Sequence, residues 1–292
     1  MAPNSTKISN RRIPSWAADL QTRLAQDRPA TVTRADIGSY LSEVGSTKDV
    51  DTTVRHLERL GWLVPVHLRG VWAYLPHGQE VVTDRYIDLR AWKARDPKAV
   101  FALAGEAAAW HLGYLDREFL GPLAVWLPTE ARVPFGLRSH ISEVKLGWNA
   151  DKIQQLVPSA QLLNRRHLDH TRWASGIPAF GPEALVVQLS TRVKSFRSWT
   201  DLVPHIEQLG ADCDVDRLSM LLGGQSKSAR QRAGYLLHCG GRHDDGLEIL
   251  ARRPAPRMAD VVFGDGRDAV WVPQFRIVDH LIAPLQRDLG KA

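Results

Sequence analysis

The chain has 292 residues, of which 44% are hydrophobic and 24% are charged. It is long enough for two domains, and its ordinary composition excludes disorder on a large scale. No apolar run approaches the roughly 20 residues that span a bilayer, and the N-terminus lacks the apolar core of a signal peptide, so we expect a cytoplasmic protein. Cys213 and Cys239 are its only cysteines, which excludes a disulfide framework and a four-cysteine zinc site.

The formal net charge of +6 is unevenly distributed along the chain. Residues 1–95 hold 14 Lys and Arg against 10 Asp and Glu, whereas residues 96–292 hold 24 against 22. A basic excess fits a polyanion partner, although many basic proteins bind none. Lys7, Arg11 and Arg12 predict a basic arm that follows a phosphate backbone or enters a minor groove, and a solvated tail is the alternative.

Local signals predict three helices near the N-terminus. Ser15 can cap a first helix at residues 16–26. The segment Thr33–Asp36 has the spacing of a capping box and opens a second helix. After a tight turn, Ser46–Asp49 repeats that spacing, which predicts a third helix beginning at Ser46. Two short helices that meet across a tight turn form a helix-turn-helix.

The third helix has an apolar face and a basic face. Its apolar residues recur at helical spacing as far as Leu60, and Gly61 then ends it. Leu63–Leu68 and Val71–Leu75 predict two strands of a hairpin that turns at Arg69–Gly70. Residues 1–85 are therefore predicted to be a winged helix-turn-helix domain that binds DNA. The residues expected to contact DNA are Arg34, Thr47, Lys48, Thr52, Arg55, His56, Arg59 and Arg69.

Two alternatives apply to this N-terminal module. The third helix could pack against another domain, so that the module mediates protein contacts only. Trp62 and Trp72 could instead stack on unpaired bases, which would make the module a binder of RNA or single strands. Their positions beside the hairpin strands favour packing in the core.

Residues 96–292 are predicted to form a larger α+β domain, which makes the whole chain α+β. The preceding stretch, Asp84–Asp96, is either a linker or a short helix. Ala99–Leu115 is rich in strong helix formers, and residues 121–148 alternate as strands do. Leu162–Trp173 and Ile177–Phe180 are candidate extensions of that sheet. Further helices are predicted at about residues 182–189, 199–209, 215–222 and 228–239.

Several runs of the sequence resemble the AbiEi family of antitoxins. They are Leu57–Leu63, Leu68–Trp72, Ala104–Gly113, Gly176–Leu185 and Arg232–Leu237. The resemblance spans most of the chain, but it does not extend past Arg253. Trp72 stands where the family often has tyrosine.

This resemblance implies a DNA-binding antitoxin of a type IV toxin-antitoxin system. Its N-terminal winged helix would repress its own operon, and its C-terminal domain would counteract a nucleotidyltransferase-like toxin encoded beside it. The implied partners are double-stranded operator DNA and that toxin, with direct toxin binding left open. The alternatives are a structural protein-interaction module and a stand-alone, ligand-responsive winged-helix transcription factor. The latter should have an apolar cavity with converging polar groups in the second domain.

No catalytic, metal or cofactor site is predicted, and we expect a protein that is not an enzyme. The segments His167–His170 and His238–His243 place potential metal ligands close together, but without a recognised four-ligand spacing. Gly223–Gly224 and Gly240–Gly241 lack the Lys-Ser/Thr ending of a phosphate loop and predict helix ends. Asp244–Asp245 is a possible acid pair but is more typical of a solvated turn, and no nucleophile elbow occurs.

One basic cluster in the second domain is a candidate docking patch. Lys227, Arg230 and Arg232 lie at the start of a predicted helix whose apolar residues face the core. We therefore expect the three charges to point outward together. Such a patch would suit an acidic toxin surface or a nucleic acid, and an ordinary solvated helix face is the alternative.

Overall fold

The computed structural model describes residues 15–128, 131–146, 177–252 and 258–290. These residues form both helices and strands, so the chain is α+β as predicted. They fall into two compact units. The first contains the described chain up to Ala99 together with Pro134–Arg138, and the second contains Val100–Val133 and the described chain from Ser139 onward.

Some expectations fall outside this part of the chain. The basic arm at Lys7–Arg12, the strands at Leu162–Trp173 and the histidines of His167–His170 are not among the described residues. Within the described residues, no helix combines the length and the apolar character that a membrane span requires.

The first unit is built from four α-helices, a 3-10 turn at Phe135–Leu137 and one small sheet in its described residues. The helices are α1 (Ser15–Asp27), α2 (Arg34–Glu43), α3 (Val50–Arg59) and α4 (Ile87–Arg95). The strands are β1 (Thr31–Thr33), β2 (Leu63–Pro65) and β3 (Val71–Tyr74). They form an antiparallel sheet in the order β1-β3-β2. The hairpin of β2 and β3 confirms the sequence prediction, whereas β1 was missed because three residues are too few to show alternation.

The core of this unit lies between α1, α2, α3 and the sheet. Leu20 and Leu24 of α1 are fully buried, as are Ile37 of α2 and Leu57 of α3. Their helical spacing puts each on the inner face of its helix, and each buried side chain contributes about 1.5–3 kcal/mol of transfer free energy. Trp62 is also buried against them, so this apolar packing fixes which side of α3 faces outward.

The charged stretch after the hairpin is a helix, α4, and it belongs to the first unit. It packs on β1 and β3. The carboxylate of Asp88 accepts a hydrogen bond from the backbone N–H of His67 at 3.2 Å and lies 2.8 Å from the His67 ring nitrogen. These contacts connect α4 to the hairpin loop, and the unit continues past residue 85 to Ala99.

The second unit begins with a mixed sheet. Its elements are β4 (Ala102–Leu103), α5 (Gly105–His111), β5 (Leu123–Trp126) and β6 (Ile141–Val144), with β4 antiparallel and β6 parallel to β5. The predicted helix over Ala99–Leu115 is confirmed only for Gly105–His111, because Ala102–Leu103 pairs with β5 as a strand and Gly105 takes a φ of +53°. A bridge between Leu103 and Ala179 confirms that Ile177–Phe180 extends this sheet.

Helices make up most of what the structure describes in the rest of this unit. They are α6 (Pro182–Thr191), α7 (Trp199–Leu202), α8 (Ile206–Asp212), α9 (Val215–Leu221), α10 (Lys227–Cys239), α11 (His243–Ala251) and α12 (Ile282–Leu289). The sequence predicted one helix over residues 199–209, but a 3-10 turn at Val203–His205 separates α7 from α8. Pro204 lies in that turn and has no N–H to continue the helical hydrogen bonds. The glycine pairs follow α9 and α10 as predicted.

A second sheet lies near the C-terminus, where the sequence predicted no elements. It consists of β7 (Val261–Phe263), β8 (Val270–Val272) and β9 (Ile277–Asp279) in the order β7-β9-β8. Phe263 and Phe275 are fully buried against Tyr235 of α10. Asp279 is also fully buried, and its carboxylate accepts hydrogen bonds from the Tyr235 hydroxyl and from backbone N–H groups at the start of α12. This buried carboxylate therefore fixes α12 to the core.

Candidate nucleic-acid interface

Helix α3 begins later than the sequence predicted. The predicted start at Ser46 was wrong, because Asp49 is the N-cap and its carboxylate accepts a hydrogen bond from the backbone N–H of Thr52 at 2.9 Å. This bond, followed by that of the Thr52 side chain, lowers the pKa of Asp49. Thr47 and Lys48 are exposed, but they lie in the turn before α3 and not on its face.

The outward face of α3 carries a stripe of exposed polar residues. Thr52, Arg55 and Arg59 are exposed, whereas Val54 and Leu57 on the opposite face are buried. Three and four residues separate neighbours in this stripe, which is the spacing of one helix face. The predicted grouping of Thr52, Arg55 and Arg59 on one surface is therefore confirmed by the structure.

His56 and Arg34 were also predicted to contact DNA, but they do not belong to this exposed stripe. His56 is only partly exposed and its Nε2 atom is inaccessible to solvent, so it does not belong to the exposed stripe. Arg34, the first residue of α2, forms an ion pair of 2.8 Å with the carboxylate of Asp51. Arg34 is therefore exposed to solvent and also connects α2 to the first turn of α3.

Two acidic residues of α3, Asp51 and Glu58, were not among the residues predicted to contact DNA. Asp51 lies in the first turn, and its backbone oxygen accepts a hydrogen bond from Arg55 Nε at 3.2 Å. Glu58 accepts a hydrogen bond from the indole N–H of Trp72 at 2.6 Å, which connects α3 to β3. The sequence did contain a signal for both residues, because Asp51 lies four positions before Arg55 and Glu58 lies three positions after it, which places all three on one helix face.

Of the two tryptophans beside the hairpin, Trp62 lies in the core of the first unit and Trp72 packs against that core. Trp62 is 1% exposed, and Trp72 is partly buried with its indole nitrogen bound to Glu58. The prediction that both tryptophans serve packing is confirmed.

The hairpin presents a single arginine at its turn. Arg69 is exposed, and Gly70 after it has a φ of +82°, a conformation that favours glycine. The backbone N–H of Val71 donates to the Leu68 carbonyl at 3.3 Å and closes the turn. Arg69 thus belongs to a turn with a defined backbone.

The candidate docking patch on α10 needs correction. Lys227 is exposed and Arg230 is partly exposed, but the Arg232 guanidinium donates to the carbonyl oxygens of Val262 at 3.1 Å and Ser190 at 3.2 Å. Burial lowers the pKa of Arg232. The three charges do not point outward together, because residues 230 and 232 lie on different sides of a helix with 3.6 residues per turn.

The histidines, the cysteine and one of the two aspartates that the sequence suggested as chemical groups make structural contacts in the second unit or are buried there. His238 and His243 approach each other with their Nδ1 atoms 3.0 Å apart, and Phe275 contacts both rings. Burial raises the pKa of the Cys239 thiol to about 12, so this cysteine is a poor metal ligand and nucleophile. Asp245 forms an ion pair with Arg242, and Asp244 is exposed in the first turn of α11. The histidine pair connects α10 to α11.

The second unit also contains a cavity of about 730 Å³. Leu247, Leu250 and Val261 contribute apolar walls, while Lys227, Arg230 and Gln274 contribute polar groups. Its volume lies within the range of about 300–1,000 Å³ that is typical of small-molecule sites.

Comparisons with known proteins extend these observations. The chain is similar to a solved structure described as the RV2827C protein from Mycobacterium tuberculosis, with 47% sequence identity and a TM-score of 0.84 over 96% of this chain and 97% of that chain. A comparison with curated proteins gave no match. Residues 99–239 match the model of the AbiEi antitoxin C-terminal domain. From this match we conclude that the chain belongs to the AbiEi antitoxin family.

Proposed function

We propose that this protein is the DNA-binding antitoxin of a type IV toxin-antitoxin system. Its first unit would be a winged helix-turn-helix that represses its own operon. Its second unit would counteract a nucleotidyltransferase-like toxin. In this proposal the DNA-binding domain extends from the predicted residues 1–85 through α4, and the antitoxin domain is residues 96–292. Repression of an operon requires a cytoplasmic location.

The observation that carries the DNA-binding role is the exposed stripe on α3. Thr52, Arg55 and Arg59 project from a helix whose opposite face is held by the core. A winged helix places such a helix in the major groove, where arginine and threonine side chains can reach base edges. Arg69 in the hairpin turn would meet phosphate or the minor groove, and Thr47 and Lys48 before α3 would contact the backbone.

The antitoxin role rests on the family match. The matched residues 99–239 lie almost entirely in the second unit, and the family is regulatory and non-enzymatic.

The proposal is tested with the region upstream of the protein's own gene. Gel shifts at low salt with this duplex should give a discrete complex, and a reporter under the same promoter should be repressed. Co-expression with the toxin encoded beside the gene should restore growth. Absence of any complex at low salt would overturn the repression role, and failure to restore growth would overturn the antitoxin role.

A ligand-responsive transcription factor is the second candidate, and the cavity in the second unit favours it. Its apolar walls with Lys227 and Arg230 at one side suit a small anionic ligand. A thermal-shift screen of small carboxylates and phosphates distinguishes the two candidates. A stabilising compound that also changes operator affinity, in a protein that fails to neutralise any adjacent toxin, would favour this second function.

A further inference from the structure

The exposed face of α3 contains a negative charge that general attraction to DNA does not explain. Asp51 lies in the first turn of the helix, and its side chain is 52% exposed. DNA phosphates repel a carboxylate, so an acid at this position lowers the affinity for every duplex. A negative charge near a helix N-terminus also interacts favourably with the helix dipole. That structural role would leave base preference unchanged.

Arg34 holds this carboxylate in a defined orientation. The guanidinium Nη2 of Arg34 lies 2.8 Å from Asp51 Oδ2. Among the described residues, no contact of the first unit occupies the other oxygen, Oδ1. An acceptor atom of an ion-paired carboxylate is therefore available at the end of α3 where a recognition helix approaches base edges.

Arg55 is positioned beside this acceptor. Its Nε donates to the Asp51 backbone oxygen at 3.2 Å, so the guanidinium extends along the same turn of α3. The two terminal nitrogens of an arginine suit O6 and N7 of guanine. A carboxylate oxygen suits the N4 amino group that cytosine presents in the major groove. Asp51 and Arg55 together offer one acceptor and two donors to neighbouring base pairs.

We propose that Asp51 is a specificity-determining residue that selects cytosine in the operator, an inference that rests on the proposed DNA-binding function. Asp51 accepts a hydrogen bond from cytosine N4, and this bond offsets the repulsion between its carboxylate and the DNA phosphates. Other bases at that position leave the repulsion without compensation. Arg34 is a positioning residue for this carboxylate. The acid therefore lowers nonspecific affinity and raises discrimination at one base pair.

The test is selection from a pool of duplexes with a randomised central segment, followed by affinity measurements on the enriched sequence and its single-base variants. The full-length protein is compared with Asp51→Ala and Asp51→Asn. Asp51→Ala should lose roughly 5- to 100-fold of discrimination at one C·G position and bind unrelated duplexes more tightly. Asp51→Asn should shift the preference at that position toward adenine, which asparagine can contact through N6 and N7.

A matched control separates base reading from general charge. Glu43 pairs with Arg23 at 3.1 Å, with side-chain exposures of 51% and 44% that resemble those of the Asp51–Arg34 pair, but it lies at the end of α2. Glu43→Gln should keep the enriched sequence unchanged. Arg34→Ala should weaken the cytosine preference, and Arg34→Lys should restore most of it.

The outcomes also distinguish this inference from the function on which it rests. Enrichment of no sequence by the wild-type protein would overturn both. Enrichment by the wild-type protein with the same base preference in Asp51→Ala would overturn the inference alone. Thermal unfolding of each variant identifies a loss of fold, and in that case the Asp51→Asn variant, which keeps the size of the side chain, decides the result.

Discussion

Arg55 and Arg69 are both exposed arginines, but their surroundings predict different roles on DNA. Arg55 is held along α3 by the Asp51 carbonyl, whereas Arg69 projects from the hairpin turn. Arg55→Ala should cost about 1–3 kcal/mol of binding free energy on the preferred duplex and relax its sequence preference. Arg69→Ala should weaken all duplexes alike and reduce the salt slope by about 1.

Fluorescence anisotropy over a salt series, with the operator duplex and a scrambled duplex of equal length, measures both effects. Arg23→Ala serves as the control, because Arg23 lies on α1 and pairs with Glu43. An equal loss on both duplexes in Arg55→Ala, like the one expected for Arg69→Ala, would contradict the distinction between base and phosphate contacts.

The histidine pair between α10 and α11 predicts a pH dependence of stability. Burial, and then the nearby His243, lower the pKa of His238 below its ordinary value of 6.5. The folded protein therefore binds this proton less readily than the unfolded chain does. The stability that neutral His238 contributes is present above the ordinary pKa and is lost as the pH falls below it.

We expect the thermal unfolding temperature of the wild type to fall between about pH 7 and about pH 5 more steeply than that of His238→Asn. Asparagine keeps an amide near the Nδ1 position, so the contact with His243 is retained without a titrating group. His77→Asn, an exposed position of the first unit, should keep the wild-type slope. Equal slopes for wild type and His238→Asn would disprove this assignment.

The packing of α10 on α11 depends on two glycines that face each other. A Cβ at Gly234 would lie 2.6 Å from the backbone oxygen of Gly246 and 3.3 Å from the Phe275 ring. Because a backbone oxygen cannot move aside, Gly234→Ala should separate the helices and lower the free energy of unfolding by about 1–3 kcal/mol. Denaturant unfolding of the full-length protein, followed by tryptophan fluorescence, measures the change.

The same substitution in α2 should have the opposite effect. A Cβ at Gly38 would meet only a Val50 methyl group at 3.8 Å, an ordinary van der Waals distance. Gly38→Ala should therefore stabilise the first unit by up to about 1 kcal/mol through helix propensity. An unchanged midpoint for Gly234→Ala, or destabilisation by Gly38→Ala, would contradict this account of the two sites.

Local sequence signals predicted the elements of the first unit well, because each element there is specified by its own residues. The capping box at Thr33–Asp36 and the stop at Gly61 both occur in the structure. The start of α3 was misplaced because Ser46 and Asp49 both have capping chemistry, and only the structure shows that Asp49 bonds to Thr52. The ion pair of Arg34 with Asp51 joins two helices across 17 positions, which no local pattern encodes.

In the second unit, tertiary pairing overrode local propensity. Ala102 and Leu103 are good helix formers, yet they form β4 because β5 offers a partner strand. Arg232 has the sequence signature of an outward charge, but carbonyl oxygens from two other segments hold its guanidinium. The strands β7, β8 and β9 contain three residues each, which is too short for a clear alternation.

At the scale of the molecule, the chain passes between its two units more than once. Pro134–Arg138 belongs to the first unit although the residues on either side of it belong to the second. A fragment that begins at residue 96 would therefore leave this segment without the rest of its unit. Point variants of the full-length protein are the sounder way to separate the proposed functions.

Arg232 should also be left unchanged in such variants, because its carbonyl contacts make it a structural residue. A triple substitution of Lys227, Arg230 and Arg232 would combine loss of docking with loss of packing. The double variant Lys227→Ala with Arg230→Ala removes the other two charges and keeps those contacts.

We expect full-length Arg55→Ala to lose repression of its own promoter while it still neutralises the adjacent toxin. The physical reason is that Arg55 lies on the outer face of α3, whereas the family's antitoxin domain matches residues 99–239. The measurement combines a promoter reporter with growth under toxin expression, and a constitutive promoter keeps the antitoxin level equal in all strains. If Arg55→Ala accumulates normally but fails to restore growth, DNA binding is required for neutralisation and the division between the units is wrong. If the Lys227 and Arg230 double variant alone fails to restore growth while it still represses, the exposed end of α10 contributes to neutralisation.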